Sequence, residues 1–192
     1  MRELTIRIRF SSPSLGNQKL QNGHFGFQKA DDGRVIFLAS WHQSNLRQAA
    51  QLIGRYQSLV GKIGWDVHVD GRLADNPWTR IYRSKSGKRK SNRYALHESF
   101  QVGQVVGINC SVPSEISDDA MFTLMSKAGT YKGLSPWKPG QYGHYEVVSI
   151  VQRARPLPAD EPVEIADGQR IIIPEVCFDS LSNWESGTPE GT

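Results

Sequence analysis

Residues 4–10 alternate Leu4, Ile6, Ile8 and Phe10 against Thr5, Arg7 and Arg9. That period of two predicts a half-buried strand. Residues 11–33 are rich in Ser, Gly and Asn and read as a loop. The apolar run RVIFLA (34–39) predicts a short strand. A helix is expected over about 44–60, capped by Ser40 or Ser44. Its stripe is Leu46, Ala49, Ala50, Ile53, Tyr56 and Val60, the spacing of one helical face. Ile63, Trp65, Val67 and Val69 then alternate with polar residues, and Asp70-Gly71 ends that strand as a turn. Val106, Ile108, Cys110 and Val112 mark a further strand. Ser117 caps a second helix, with Asp118 and Asp119 in its first turn and Met121, Leu124, Met125 and Ala128 on one face. Gly129 is its expected stop. The Gly-rich stretch 129–143 leads into a last core strand, YEVVSIVQ (145–152).

Stripped of insertions, the order is strand, helix, strand, strand, helix, strand. This predicts an α+β, ferredoxin-like fold of the RRM or RAMP type, an antiparallel sheet with two helices on one face. Thr5, Arg7, Arg9 and Asn109 fall on the other face, an open polar platform. The expected division is a core domain over 1–152, with a basic β-hairpin insertion at 72–103, and an acidic, Pro-rich C-terminal extension over 153–192.

Charge sharpens this picture. The 192 residues carry 23 Lys+Arg and 19 Asp+Glu, a net charge of +4. Seven of the basic residues lie in 80–93: Arg80, Arg83, Lys85, Lys88, Arg89, Lys90 and Arg93. Without them the chain holds 16 basic against 19 acidic residues and is weakly acidic. Trp78, Ile81 and Tyr82 precede these charges and Tyr94, Leu96 and Phe100 follow. Two strand arms joined by a mobile tip are expected. Clustered cations neutralise phosphates, and flanking aromatic rings stack on unpaired bases. In the Gly-rich stretch, Tyr131, Lys132, Trp137, Lys138, Tyr142 and His144 offer the same chemistry. The bland alternatives are a solvated loop and an ordinary Gly/Pro connection.

Other chemistries find little support. No GxxxxGK[ST] and no GxSxG occurs, and no histidine pair has zinc-helix spacing. No metal and no cofactor is indicated. Two cysteines point to a reducing, cytoplasmic setting. No apolar run suits a membrane span, and the start lacks the pattern of a signal peptide. His42 and His24 are the candidates for a general base, should the protein cleave RNA without metal through the 2′-hydroxyl.

The pieces together resemble the RAMP superfamily of CRISPR-associated proteins. RIRFSSPSLGN, then DGRVIFLASWHQSNLRQAA, is similar to that family's first strand, small-residue loop and first helix, through Asp32, Gly33, Ile36, Ser40, Ser44, Leu46 and Arg47. ISDDAMFTLMSKAGTYKGLSPWKPGQYGHYEVVSIV resembles its final helix, Gly-rich loop and strand. The likeness runs over about 3–152. The family's Pro before the first helix is replaced by Leu38 or Ala39, and the Gly-rich loop is longer and less glycine-dense. The resemblance implies a non-catalytic subunit that grips guide RNA, or another single-stranded nucleic acid, through the sheet face and a projecting hairpin. Arg47, the cationic hairpin and Lys132 would hold phosphates, and Tyr131 and Tyr142 would stack bases. Other ribonucleoprotein subunits, or further copies of itself, would be its partners. A metal-independent endoribonuclease acting on repeat RNA is the second reading. An assembly protein of a phage or mobile element is the third.

Overall fold

The computed structural model describes residues 1–83, 93–136, 141–153, 163–164 and 170–171. In chain order the elements begin with β1 (Arg2–Phe10), β2 (Ser14–Leu15), β3 (Gln18–Lys19), β4 (Phe25–Gly26), β5 (Gln28–Lys29) and β6 (Val35–Ile36). Helix α1 (Ala39–Ile53), the single turn α2 (Gln57–Val60) and β7 (Gly64–Asp70) follow. Then come β8 (Trp78–Arg83), β9 (Arg93–Phe100), β10 (Val105–Val112), α3 (Asp118–Tyr131) and β11 (Tyr145–Gln152). The chain divides into two compact units, Met1–Arg153 and Ala154–Thr192. Of the second, β12 (Val163–Glu164) and β13 (Arg170–Ile171) are described, paired antiparallel.

The first unit is the α+β fold that the element order predicts. Its main sheet runs β11-β1-β10-β7, extended at one edge by β6 and β5. Each core neighbour is antiparallel. These four strands are the first, second, third and fourth of the strand-helix-strand repeat, in the spatial order 4-1-3-2. Alternation does what it promises: Leu4, Ile6 and Ile8 are fully buried beneath the helices, and Val106, Ile108 and Cys110 lie beside them. Leu46, Ala49 and Ala50 of α1 and Met121, Leu124 and Met125 of α3 close the layer above.

Several local expectations change. Helix α1 begins at Ala39, behind an extended Leu38 that offers no side-chain cap, so Ser40 and Ser44 sit inside it. It ends at Gly54, whose left-handed backbone (φ 74°) lets its N–H reach Ala50 O and Gln51 O. The chain then restarts as α2 rather than running through to residue 60. The strand over 34–39 shrinks to Val35–Ile36, with Phe37 N–H on Val67 O at 2.8 Å before the chain turns into α1. Gly129 lies within α3, two residues before its end, and stops nothing. Ser117 does cap α3, accepting from Ala120 N–H at 3.2 Å.

The loop over 11–33 also has more structure than its composition shows. Its short strands β2 and β4 each pair with β9, the second arm of the basic segment, and β8 pairs with β9 as well. The β8–β9 register, Trp78↔Glu98 through Arg83↔Arg93, makes the insertion a hairpin whose tip, 84–92, lies outside the described residues. Glu98 fastens the loop to this arm: it is nearly buried and accepts from Phe27 N–H at 3.0 Å and Lys29 Nζ at 2.8 Å. Phe10, Phe27, Phe37 and Phe100 pack ring against ring at 5.4–5.7 Å, joining this second sheet to the main core.

Candidate nucleic-acid interface

A polar site lies where α1 meets the end of α3. Asn45 builds it. Its side chain is buried, and Nδ2 donates to Gly133 O at 2.6 Å and, more weakly, to Ala128 O at 3.4 Å. Its Oδ1 accepts from the buried Tyr145 hydroxyl at 3.2 Å. One α1 side chain thus fixes the last turn of α3, the second residue after it and the start of β11. Gly133 (φ 72°) turns the chain sharply, and Leu134 N–H closes on Gly143 O at 2.7 Å. The Gly-rich segment is therefore pinched at its neck. A side chain at 133 or 143 would collide with the facing backbone at about 2.4–2.5 Å.

This neck lays Lys132 across α1. Its Nζ donates to Ser44 O at 3.2 Å and to Ser44 Oγ, and partial burial lowers its pKa. An ammonium carries three donors, so one remains for a ligand. Ser40, Gln43, Ser44, Arg47, Gln48 and Gln51 form the rest of an open cleft with Lys132. No acid lines it. Arg47 is exposed and has no ion pair among the described residues. A cleft with two cations, two hydroxyls and three amides suits a phosphate chain better than an apolar small molecule.

The remaining candidates fall in several places. Tyr131 is half exposed, with the Lys127 ammonium 5.6 Å from its ring centre. Tyr142 is partly buried. His144 is tied into the neck: its backbone N–H donates to Ser12 Oγ at 2.9 Å and its ring Nδ1 lies 3.0 Å from Gly129 O. Arg80 stacks its guanidinium over exposed Tyr94 at 4.5 Å on the β8–β9 hairpin. Arg83 and Arg93 are described by backbone alone, and Lys85, Lys88, Arg89, Lys90, Trp137 and Lys138 lie outside the described residues.

The open face of the sheet carries the polar positions expected of it. The outward positions of the two central strands are Glu3, Thr5, Arg7 and Arg9 and, opposite them, Ser111, Asn109, Gly107 and Val105. None of these eight positions holds an aromatic ring on which a base could stack. Charge is balanced rather than basic. Arg9 pairs with Glu146 at 2.8 Å, and Asp66 on neighbouring β7 holds His68 Nδ1 at 2.9 Å.

His42 is placed where a general base would not be. Its ring is 1% exposed and stacks on Trp65 at 4.5 Å. Neither ring nitrogen has a hydrogen-bond partner among the described residues. Such a ring cannot reach a bound 2′-hydroxyl. Burial pushes its pKa down to about 3, against an ordinary value of about 6.5. The unfolded chain therefore binds a proton that the folded chain refuses, and stability falls with pH between those two values. From about pH 7 to about pH 5 the loss should be about 2 kcal/mol. Urea midpoints of the wild type and a His42→Leu variant check this. The variant should lose most of the slope; an identical slope in both would place it elsewhere. His24 is partly buried, its ring 5.9 Å from Trp78 at the base of the hairpin.

Arg47 and Lys132 stand out in the sequence singly. Their meeting does not, because it depends on Asn45 and the packing of α1 on α3. The polar face of α1 was legible as two rows at i, i+4, i+8 spacing: Ser40, Ser44, Gln48 and Gln43, Arg47, Gln51.

No protein-family model and no curated protein sequence matches the chain. Solved structures do. One is a chain in the cryo-EM structure of the Type III-B Cmr-beta bound to cognate target RNA, 14% identical, with a TM-score of 0.61. The match takes in 79% of this chain but only 60% of that one, so this chain spans less than two thirds of that neighbour's length. Another is a chain of a Type IV-B CRISPR complex, 10% identical, with a TM-score of 0.47 over 86% of this chain and 96% of that one. The first likeness shows a shared fold. Among the described residues no helix is long and apolar enough to cross a membrane.

Proposed function

We propose that this chain is a non-catalytic, RNA-binding subunit of a CRISPR-associated ribonucleoprotein, with a RAMP-type core. The observation that carries the reading is the cleft in which Arg47 and Lys132 meet on an acid-free helix face. Phosphates of a single strand bind between the two cations, Tyr131 stacks a base beside them, and the β8–β9 hairpin with Arg80 and Tyr94 holds a further stretch. The neighbour's RNA-bound setting and the RAMP-like motifs support this assignment. The burial of His42 supports a binding role over a cleaving one.

Nucleic acid that copurifies with the protein tests the reading. The protein, purified at low salt, should show a raised ratio of absorbance at about 260 to about 280 nm, removed by ribonuclease and not by deoxyribonuclease, and washed out by high salt. Nucleic-acid-free protein that also leaves single-stranded RNA unbound at about 50 mM salt would refute it. Assembly into oligomers indifferent to RNA would favour an assembly protein instead.

A further inference from the structure

Lys132 differs from the other lysines of the described residues. Lys19, Lys29, Lys62 and Lys127 are exposed, whereas Lys132 is partly buried. Lys29 is held by the Glu98 carboxylate at 2.8 Å, and Lys127 lies beside the Tyr131 ring. Lys132 has neither kind of partner among the described residues. Its Nζ donates to Ser44 O at 3.2 Å and to Ser44 Oγ.

These two contacts orient the nitrogen. A protonated Lys132 spends two of its three N–H groups on Ser44 and keeps the third for a ligand. On losing that third proton it keeps both bonds to Ser44, and the lone pair takes the third position. Only the free amine is a nucleophile, and partial burial favours it by lowering the pKa. Arg47 lines the same cleft, with no carboxylate beside it. A phosphate held by Arg47 carries whatever acyl group it bears to the side of that nitrogen. Acyl phosphates meet both requirements: an anionic phosphate for Arg47 and an activated carbonyl carbon for the amine.

We propose that Lys132 is an acylation site for acyl phosphates docked through Arg47, a switch that removes one of the cleft's two cations. The Lys132 nitrogen attacks the carbonyl carbon, and an amide C–N bond forms. The bond from that carbon to the phosphate oxygen breaks. Inorganic phosphate leaves with the electron pair and takes up the proton shed by nitrogen. The acylated side chain is neutral. The effect on RNA rests on the RNA-binding reading above; the reaction itself does not.

Acetyl phosphate is the test reagent, with the full chain, and peptide mass spectrometry follows each lysine over time. Lys132 should react about tenfold faster than exposed Lys19 and Lys62, because docking holds the reagent in place. Arg47→Leu, or inorganic phosphate added to the wild type, should bring Lys132 within about twofold of those two. Acetic anhydride has no phosphate for Arg47 to hold. Lys132 should react with it equally in the wild type and in Arg47→Leu, which separates docking from a disturbed fold. A Lys132 no faster than Lys19 and Lys62, or indifferent to both Arg47→Leu and phosphate, overturns the acylation site. After treatment the wild type should lose about tenfold more affinity for single-stranded RNA than an equally treated Lys132→Arg variant, which keeps the cation and cannot be acetylated. Equal losses overturn the switch. Untreated protein that binds no RNA overturns the RNA-binding reading, and the switch with it, while the lysine rates still decide the acylation.

Discussion

Gly129→Ala should destabilise the protein by about 2–3 kcal/mol, where a helix interior would ordinarily gain up to about 1 kcal/mol from that exchange. The sign is decided by what faces the glycine. It is a buried residue of α3, and a Cβ there would lie 2.2 Å from Tyr145 O and 2.7 Å from Tyr145 Cδ2. Neither can yield cheaply. The carbonyl belongs to the first residue of β11, and the ring is buried with its hydroxyl on Asn45 Oδ1. To admit a methyl, α3 must move off the sheet, and the Asn45 network must stretch with it. For a chain of this size the melting temperature should fall by roughly 5–10 °C. Single-stranded RNA affinity should fall too, because Lys132 is placed by the same turn. A melting temperature equal to or above the wild type would show that the contact is not as close as described.

The same glycine shows where sequence reading succeeds and where it stops. The four core strands and both long helices declare themselves through alternation and helical stripes, since each has one face in the core. Gly129, however, admits two explanations from sequence: a left-handed stop or a close approach. Only the position of Tyr145 decides between them. The loop over 11–33 hides its strands for a related reason. Ser14, Leu15 and Phe25 pair with residues of β9 more than seventy positions away, so no local period records it. His42 has the sequence position of a reactive residue near a helix start. The helix in fact begins earlier, which turns that side chain inward onto Trp65. At the site, Arg47 and Lys132 were each legible as cations beside recognisable elements. Their shared cleft was not, since it depends on Asn45 reaching Gly133 across two helices.

Reversing both charges, Arg47→Glu with Lys132→Glu, should weaken single-stranded RNA binding by at least about 100-fold. Each charge-assisted hydrogen bond to phosphate is worth about 1.5–3 kcal/mol, and the two glutamates add repulsion where attraction stood. Lys132 also gives up its hold on Ser44, but that interaction is on the surface, so its removal should cost little stability. The melting temperature should therefore stay close to that of the wild type, in contrast to Gly129→Ala. A single Arg80→Glu change on the hairpin, which disrupts the stack on Tyr94, should weaken binding by less, because the strand is still held in the cleft.

The salt dependence of this binding tests the account most directly. The logarithm of the association constant for single-stranded RNA, plotted against the logarithm of salt concentration, should be steep for the wild type. It should be shallower by about 1.4 in slope for the double variant, about 0.7 for each phosphate that is no longer neutralised. Parallel lines of equal slope, or equal affinities for the two proteins, would contradict the claim that the cleft between α1 and Lys132 is where the strand is held.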